Sequence, residues 1–238
     1  MSAWSEPLRA VGDMATFWAS APALSFAPRG DGHSVLVIPG FNTNDESTSV
    51  IRSFLSFLGY RCEAWELGHN YGFRVLGKNQ VLLRDRLRDI AMTSRGKISL
   101  VGWSLGGVMA RQMAQEHSDL VRQVIMLGSP FRDPRSTSVR AFYEWMSGER
   151  LDDDDTQRKW ERFRPTPPVP TTSIYTRTDG ISAWQNCLQT ETETAENIEV
   201  PGSHMGLPVN PLALLTIADR LAQPEDGWKR RKLMNFKD

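Results

Sequence analysis

The apolar positions of this chain fall into short runs that alternate with helical stripes, and the alternation persists along most of its length. Val35-Leu36-Val37-Ile38 is wholly apolar and largely β-branched, and Pro39-Gly40 stops it, the pattern of a strand covered on both faces. Ser47 or Thr48 can cap a helix that places Val50, Ile51, Phe54, Leu55 and Leu58 on one face and ends at Gly59. Tyr60 to Leu67 reads as the next strand. Leu76 to Ala91 then carries Leu83, Leu87, Ile90 and Ala91 opposite arginines and aspartates, an amphipathic helix. A strand at Ile98 to Val101, a helix from Leu105 to His117 and a strand at Gln123 to Leu127 follow. Thr172 to Thr176 and Ile198 to Val200 are two further short strands, and Pro211 to Leu221 is a closing helix.

Strands that alternate with helices connect by right-handed crossovers, so the expected fold class is α/β, a mostly parallel sheet of about six strands flanked by helices. The loops that follow the strands then gather at one edge of the sheet, its carboxyl edge. Phe41, Ser104, Asp133, Asp179 and His204 all belong there. Residues 132–171 break the alternation, being too long for a plain connection. They hold Phe142, Tyr143, Trp145, Met146, Trp160 and Phe163 and then a proline cluster, which reads as a lid insert over that edge. Residues 1–32 read as a partly helical segment packed on the body, and 1–238 as one domain.

Composition narrows the function. The 238 residues carry 28 basic and 28 acidic side chains, so nothing in the charge balance favours nucleic acid or an anionic surface, and a small molecule that is not highly charged is the expected partner. Two cysteines, Cys62 and Cys187, make no disulfide framework and have no metal-ligand spacing; Cys62 is expected to be buried in its strand, and neither metal nor cofactor is called for. Glu6, Arg9 and Asp13 interrupt the approach to the apolar patch at Met14 to Leu24, which fits a signal peptide poorly, and no run reaches the roughly 18 apolar residues of a membrane span. A cytoplasmic protein is expected. Asp152 to Asp155 reads as a solvated acidic loop or helix start rather than a cation site, since calcium sites space their ligands. Lys229-Arg230-Arg231-Lys232 reads as a solvated tail.

The chemistry centres on Gly102-Trp103-Ser104-Leu105-Gly106, between a predicted strand and a predicted helix. A serine on so sharp a turn needs neighbours without bulk two positions away, and it sits where free N–H groups and the helix dipole favour a developing oxyanion. Such a nucleophile needs a base, and the four histidines can be sorted. His117 is thirteen residues down the helix, about 20 Å away at 1.5 Å per residue. His33 precedes its strand and falls at the opposite sheet edge; His69 is on the right edge but comes before the serine, against the Ser, acid, His order of this elbow. His204 satisfies both conditions. Asp179, on the turn ending at Gly180, is the favoured orienting acid, with Asp133 after the preceding strand as the alternative. The N–H groups of Phe41 and Leu105 are the candidate oxyanion donors. Phe41, Trp103, His69 and Trp145 are candidate substrate-binding residues.

With Ser104, Asp179 and His204 in that order, the chain resembles the α/β-hydrolase superfamily from about Val35 to Leu221, and within it bacterial lipase- or esterase-like serine hydrolases. The resemblance rests on Ile38-Pro39-Gly40-Phe41, on Trp65-Glu66-Leu67-Gly68-His69-Asn70-Tyr71-Gly72, on the Ser104 motif with Gly107, and on Gly202-Ser203-His204-Met205-Gly206-Leu207. It implies a metal-free Ser-His-Asp acyl-transfer site, and the expected reaction is hydrolysis of a carboxylic ester of an apolar acid. The chain departs from the family pattern at Pro39, where many relatives have histidine, and at His69, where the pattern tends to arginine. An acyltransferase using the same triad and a ligand-binding protein without turnover remain as rival readings. Acyl length, alcohol, physiological substrate and oligomeric state are not encoded legibly.

Overall fold

A computed structural model describes residues 3–77, 80–94 and 96–230. Six strands, β1 (Ser34–Ile38), β2 (Arg61–Ala64), β3 (Ile98–Trp103), β4 (Val121–Leu127), β5 (Thr171–Tyr175) and β6 (Ala195–Glu199), form one sheet in the order β2-β1-β3-β4-β5-β6. Every pairing between these strands is parallel. Among the described residues the α-helices are α1 (Glu6–Leu24), α2 (Ser49–Leu58), α3 (Val81–Thr93), α4 (Leu105–Glu116), α5 (Arg140–Ser147), α6 (Asp154–Glu161) and α7 (Pro211–Leu221).

Side chains along a strand point alternately to its two faces, and the core divides accordingly. Val35, Val37, Val101, Ile125 and Leu127 pack with Leu24 of α1, with Ile51 and Leu55 of α2 and with Leu214 and Ile217 of α7. Leu36, Ile38, Leu100, Val124 and Met126 pack on the other face with α3, α4 and the aromatic residues of the β4–β5 connection. Burial on both faces is why these strands read as continuous apolar runs rather than alternating ones.

Four elements differ from the sequence reading, the first being β6, which starts three residues before the expected Ile198 and ends at Glu199 rather than Val200. β2 stops at Ala64 rather than Leu67, because the Trp65 and Glu66 N–H groups donate to the Asp45 carboxylate at 2.9 and 3.1 Å and Glu66 turns to φ +59°. The helix expected from Leu76 starts at Val81; Phe73–Leu76 is a separate 3₁₀ turn that ends at Gly77, φ +75°. Asn44, not Ser47 or Thr48, makes the capping bond before α2, accepting the Glu46 N–H at the start of a 3₁₀ turn that runs into the helix. Gly59 ends α2 at φ +102°, as a left-handed cap requires.

The β4–β5 connection contains α5 and α6. Asp153 caps α6, Asp152 pairs with Arg140 and Asp155 with Arg158, so the aspartate run is a helix start. Arg111 of α4 anchors the far end of this connection: fully buried, it donates to the carbonyls of Phe163, Arg164 and Pro165 and to the Gln189 side chain. Burial pushes its pKa down to about 9, so it stays charged at neutral pH. Cys62 is half-buried rather than buried, and desolvation raises its thiol to about 11. Cys187 is buried and its thiol is pushed well up by desolvation and by the nearby Asp179. Residues 231 and 232 of the basic tail lie outside the described residues.

Candidate functional site

β3 ends at Trp103 and α4 begins at Leu105, leaving Ser104 alone to make the turn. Its φ of +53° with ψ of −121° is a conformation that side chains rarely adopt and that glycine would occupy freely. The flanking glycines show what holds it. A Cβ on Gly102 would overlap the backbone of Gly106 and Gly107, and one on Gly106 would overlap the carbonyl of Ile38 and lie 2.5 Å from that of Pro39. Strand β3, helix α4 and the loop after β1 therefore touch backbone to backbone at the elbow.

His204 lies on the loop after β6 and Asp179 on the loop after β5. His204 Nε2 is 3.0 Å from Ser104 Oγ, and His204 Nδ1 is 2.6 Å from Asp179 Oδ2. Both side chains are buried. Asp179 Oδ1 also accepts the Ile181 and Ser182 N–H groups at 2.8 and 2.7 Å, so its carboxylate is fixed from two sides. Asp133, the alternative acid, instead pairs with Arg135 at 2.9 Å, and that side-chain hydrogen bond is the leading cause of its lowered pKa. His33 lies near the opposite sheet edge, bonded to Asp31 and Ser99.

Phe41, Ser104 and Leu105 share one small cavity of about 50 Å³, walled by Tyr143 and Trp160 of the β4–β5 connection and by Ile181. The loop that carries Phe41 is held by buried Asn70, whose Nδ2 donates to the Pro39 carbonyl at 2.8 Å while its own carbonyl accepts the Asn42 N–H at 2.7 Å. Asn70 stands in the quoted His69-Asn70-Tyr71 motif, but the sequence assigned it no role. Tyr143 packs 4.7 Å from the Phe41 ring, and burial, then the Glu149 carboxylate, pushes its phenol well above the ordinary value.

The other candidate substrate residues lie elsewhere. Trp103 points to the opposite face of the sheet, where its indole N–H donates to the His204 carbonyl at 3.1 Å, and its ring is the surface against which Gly40 packs. It supports the histidine loop and does not line the cavity. His69 is exposed and stacks on Tyr71; Trp145 is 77% exposed beside Phe142. Neither is among the side chains that wall the cavity. A larger apolar groove of about 460 Å³ between α1 and α2 contains no titratable side chain.

Three side chains of α1, which in the sequence only interrupt the approach to an apolar patch, reach the loops of the acid and the base. Glu6 accepts the N–H groups of Gly180 and Met205, Arg9 donates to the carbonyls of Thr178 and Gly202, and Asp13 accepts from Ser203. Their spacing of three and four residues places them on one helical stripe, a signal that was available.

A family profile described as the alpha/beta hydrolase fold matches residues 86–159. No curated protein matches the sequence. Among solved structures, Aspergillus fumigatus lipase B is similar at TM-score 0.64 and 16% identity, over 84% of this chain and 54% of that one. The chain thus spans about half the length of that lipase. A Paleococcus ferrophilus monoacylglycerol lipase matches at TM-score 0.58 and 12% identity, covering 83% of this chain and 96% of its own. Mouse alpha/beta hydrolase domain-containing protein 10 matches at 0.57 and 18%, covering 80% and 90%. Profile, neighbours and sheet order agree: this chain has the α/β-hydrolase fold.

Proposed function

We propose that the protein is a serine hydrolase that cleaves a carboxylic ester of an apolar acid through an acyl-enzyme. The observation that carries this reading is the unbroken hydrogen-bond line from Asp179 through His204 to Ser104, 2.6 Å and 3.0 Å long, opening on a cavity. Ser104 Oγ attacks the ester carbonyl while His204 Nε2 takes its proton. The charge that develops on the carbonyl oxygen is met by the N–H groups of Leu105 and Phe41, the first at the start of α4 and the second on the loop that Asn70 holds. Asp179 keeps the Nδ1 proton in place and stabilises the imidazolium. His204 then returns the proton to the leaving alcohol, and a water attacks the acyl-enzyme by the same relay.

Residues 132–171 act as the lid in this reading. Because the cavity is small and walled by Tyr143 and Trp160, it takes a short acyl group as it stands, and a long chain requires α5 to move outward. The structurally similar lipases support the ester class without fixing the substrate.

The test is a series of nitrophenyl esters graded by acyl length. Wild type is expected to turn over acetate and butyrate faster than laurate, and Ser104→Ala to lose at least about 10⁴ in kcat together with all labelling by a fluorophosphonate, while keeping its melting temperature. Turnover unchanged in Ser104→Ala refutes the assignment. Product that partitions to an added alcohol in preference to water makes the protein an acyltransferase instead.

A further inference from the structure

Helix α1 has its charged side inward at its start. The positions of α1 that face the body are Glu6, Arg9, Ala10, Asp13, Phe17, Ser20 and Leu24, whereas Leu8, Val11 and Trp18 face solvent at 78%, 65% and 69% exposure. The large apolar residues of the inward stripe, Phe17 and Leu24, lie only in its second half. Burying a carboxylate such as Glu6, which is fully covered, costs free energy unless every oxygen is matched, so the inward charges need a reason.

Their partners supply it. Glu6 Oε1 accepts the Gly180 N–H at 2.7 Å and Oε2 accepts the Met205 N–H at 3.0 Å, so one carboxylate ties the residue after Asp179 to the residue after His204. Arg9, itself paired with Glu6 at 3.1 Å, donates to the Thr178 carbonyl and to the Gly202 carbonyl, both at 2.6 Å. Asp13 accepts the Ser203 N–H at 3.0 Å and its hydroxyl at 2.5 Å. The backbone on both sides of Asp179, and on both sides of His204, is thus held by a helix about 170 to 200 residues earlier in the chain. A Cβ on Gly206 would overlap the Asp13 carboxylate, so the fit leaves no slack.

We propose that Glu6, with Arg9 and Asp13, is a positioning clamp: α1 fixes the loop of the acid and the loop of the base relative to each other, and so sets the Asp179–His204 hydrogen bond. The inference rests on the hydrolase reading for its effect on rate. Its effect on geometry is independent of that reading. No clamp contact falls on a residue that lines the cavity, so the clamp acts first on the relay and reaches the cavity wall only through Ile181, the residue after Gly180.

Glu6→Gln keeps the shape of the side chain but turns one acceptor into a donor facing an N–H, and Glu6→Ala removes both acceptors. Both are expected to lower kcat for a short nitrophenyl ester by about 10- to 100-fold, the scale of a small misplacement of a catalytic group, with KM changed less than about threefold. Fluorophosphonate labelling of Ser104 should slow by the same factor. The far-downfield proton resonance of His204 Nδ1–H should broaden or disappear, a readout that loss of stability in a still-folded protein does not move. Phe17→Ala, which loosens the apolar half of α1 without touching either loop, serves as the control: a lower melting temperature with kcat and the resonance retained. Wild-type kcat, labelling and resonance in both Glu6 variants overturn the clamp, as does an equal loss of kcat in Phe17→Ala. Should Ser104→Ala retain turnover, the hydrolase reading falls and the resonance alone decides the clamp.

Discussion

Replacing one carboxylate by its amide at two positions separates the two candidate acids. In Asp179→Asn the remaining carbonyl oxygen can still accept the Ile181 and Ser182 N–H groups, 2.8 and 2.7 Å away, so the loop keeps its shape. What changes is the group facing His204 Nδ1. An amide N–H there favours the tautomer whose proton sits on Nε2, pointing at Ser104 and unable to accept the hydroxyl proton. The expected loss in kcat is therefore about 10⁴, the cost of holding a triad histidine in the wrong tautomer. The lost charge-assisted bond, in a site where both side chains are buried, removes about 1.5–3 kcal/mol of stability, or roughly 3–12 °C in melting temperature for a chain of this size. Asp133→Asn breaks an ion pair with Arg135 that is partly open to solvent, worth about 0.2–1 kcal/mol, and should leave kcat within a factor of two. Steady-state hydrolysis of a nitrophenyl butyrate and a thermal melt measure both. If Asp133→Asn is the crippled variant, or if the two lose alike, the acid has been misassigned.

Gly106→Ala gains up to about 1 kcal/mol of helix propensity, yet its new Cβ meets the fixed carbonyls of Ile38 and Pro39; overpacking of this kind costs about 1–3 kcal/mol or more and pushes the Phe41 loop outward, so both melting temperature and kcat should fall. A more stable variant with full activity would contradict the contact. At the other edge of the sheet, burial first of all holds the pKa of His33 below its ordinary 6.5, with Arg122 adding to the effect against the opposing Asp31 and Glu225. The unfolded chain therefore binds a proton in a range where the folded one does not. This contribution to stability is complete above pH 6.5 and is lost as pH falls from there towards the folded pKa. Melting temperature should decline over that range in wild type and decline less in His33→Gln, with kcat unaffected; identical pH profiles would remove His33 from the account.

Much of the fold and the grouping of the candidate site residues at one sheet edge are legible in the sequence because they follow from local pattern. The strands at Val35–Ile38 and Gln123–Leu127, the cap at Gly59 and the closing helix Pro211–Leu221 depend on periodicity and turn chemistry within a few residues. His204 was reachable by combining chain order with the sheet edge. What the sequence hid depends on partners far away. Trp103 is one residue from Ser104 but on the opposite face of the sheet, so adjacency suggested a pocket wall where the structure has a support for the histidine loop. His69 belongs to a loop on the right edge and Trp145 to the lid insert, and exposure rather than sequence decides that they stay outside the cavity. The end of β2 moved because of a carboxylate at Asp45, about twenty residues away, which periodicity in the strand cannot register. The contacts of Glu6 span more than 170 residues, and only its place on a charged inner stripe left a trace in the chain.

Distance alone does not identify the site, because the chain holds a second line of the same three residue types. Asp31 Oδ1 is 2.5 Å from His33 Nδ1, and His33 Nε2 is 2.8 Å from Ser99 Oγ, both as short as in the line that ends at Ser104. Ser99, however, lies inside β3 with its neighbours paired to β1 and β4, fully buried, near the edge where the strands begin. Among the described residues there is no helix N-terminus beside it to meet a negative charge and no strained turn to lift its hydroxyl out of the sheet. The Arg122 guanidinium adds a salt bridge to Asp31 at 2.8 Å, which ties the group into the structure rather than freeing a base. The difference between the two serines is thus five positions along one strand, from its buried start to the turn at its end. In the proposed reaction, reactivity follows from where the sheet places the hydroxyl, with the relay as a necessary addition. Moving the relay without the elbow, as the Asp31–His33–Ser99 line does, yields a structural hydrogen-bond network.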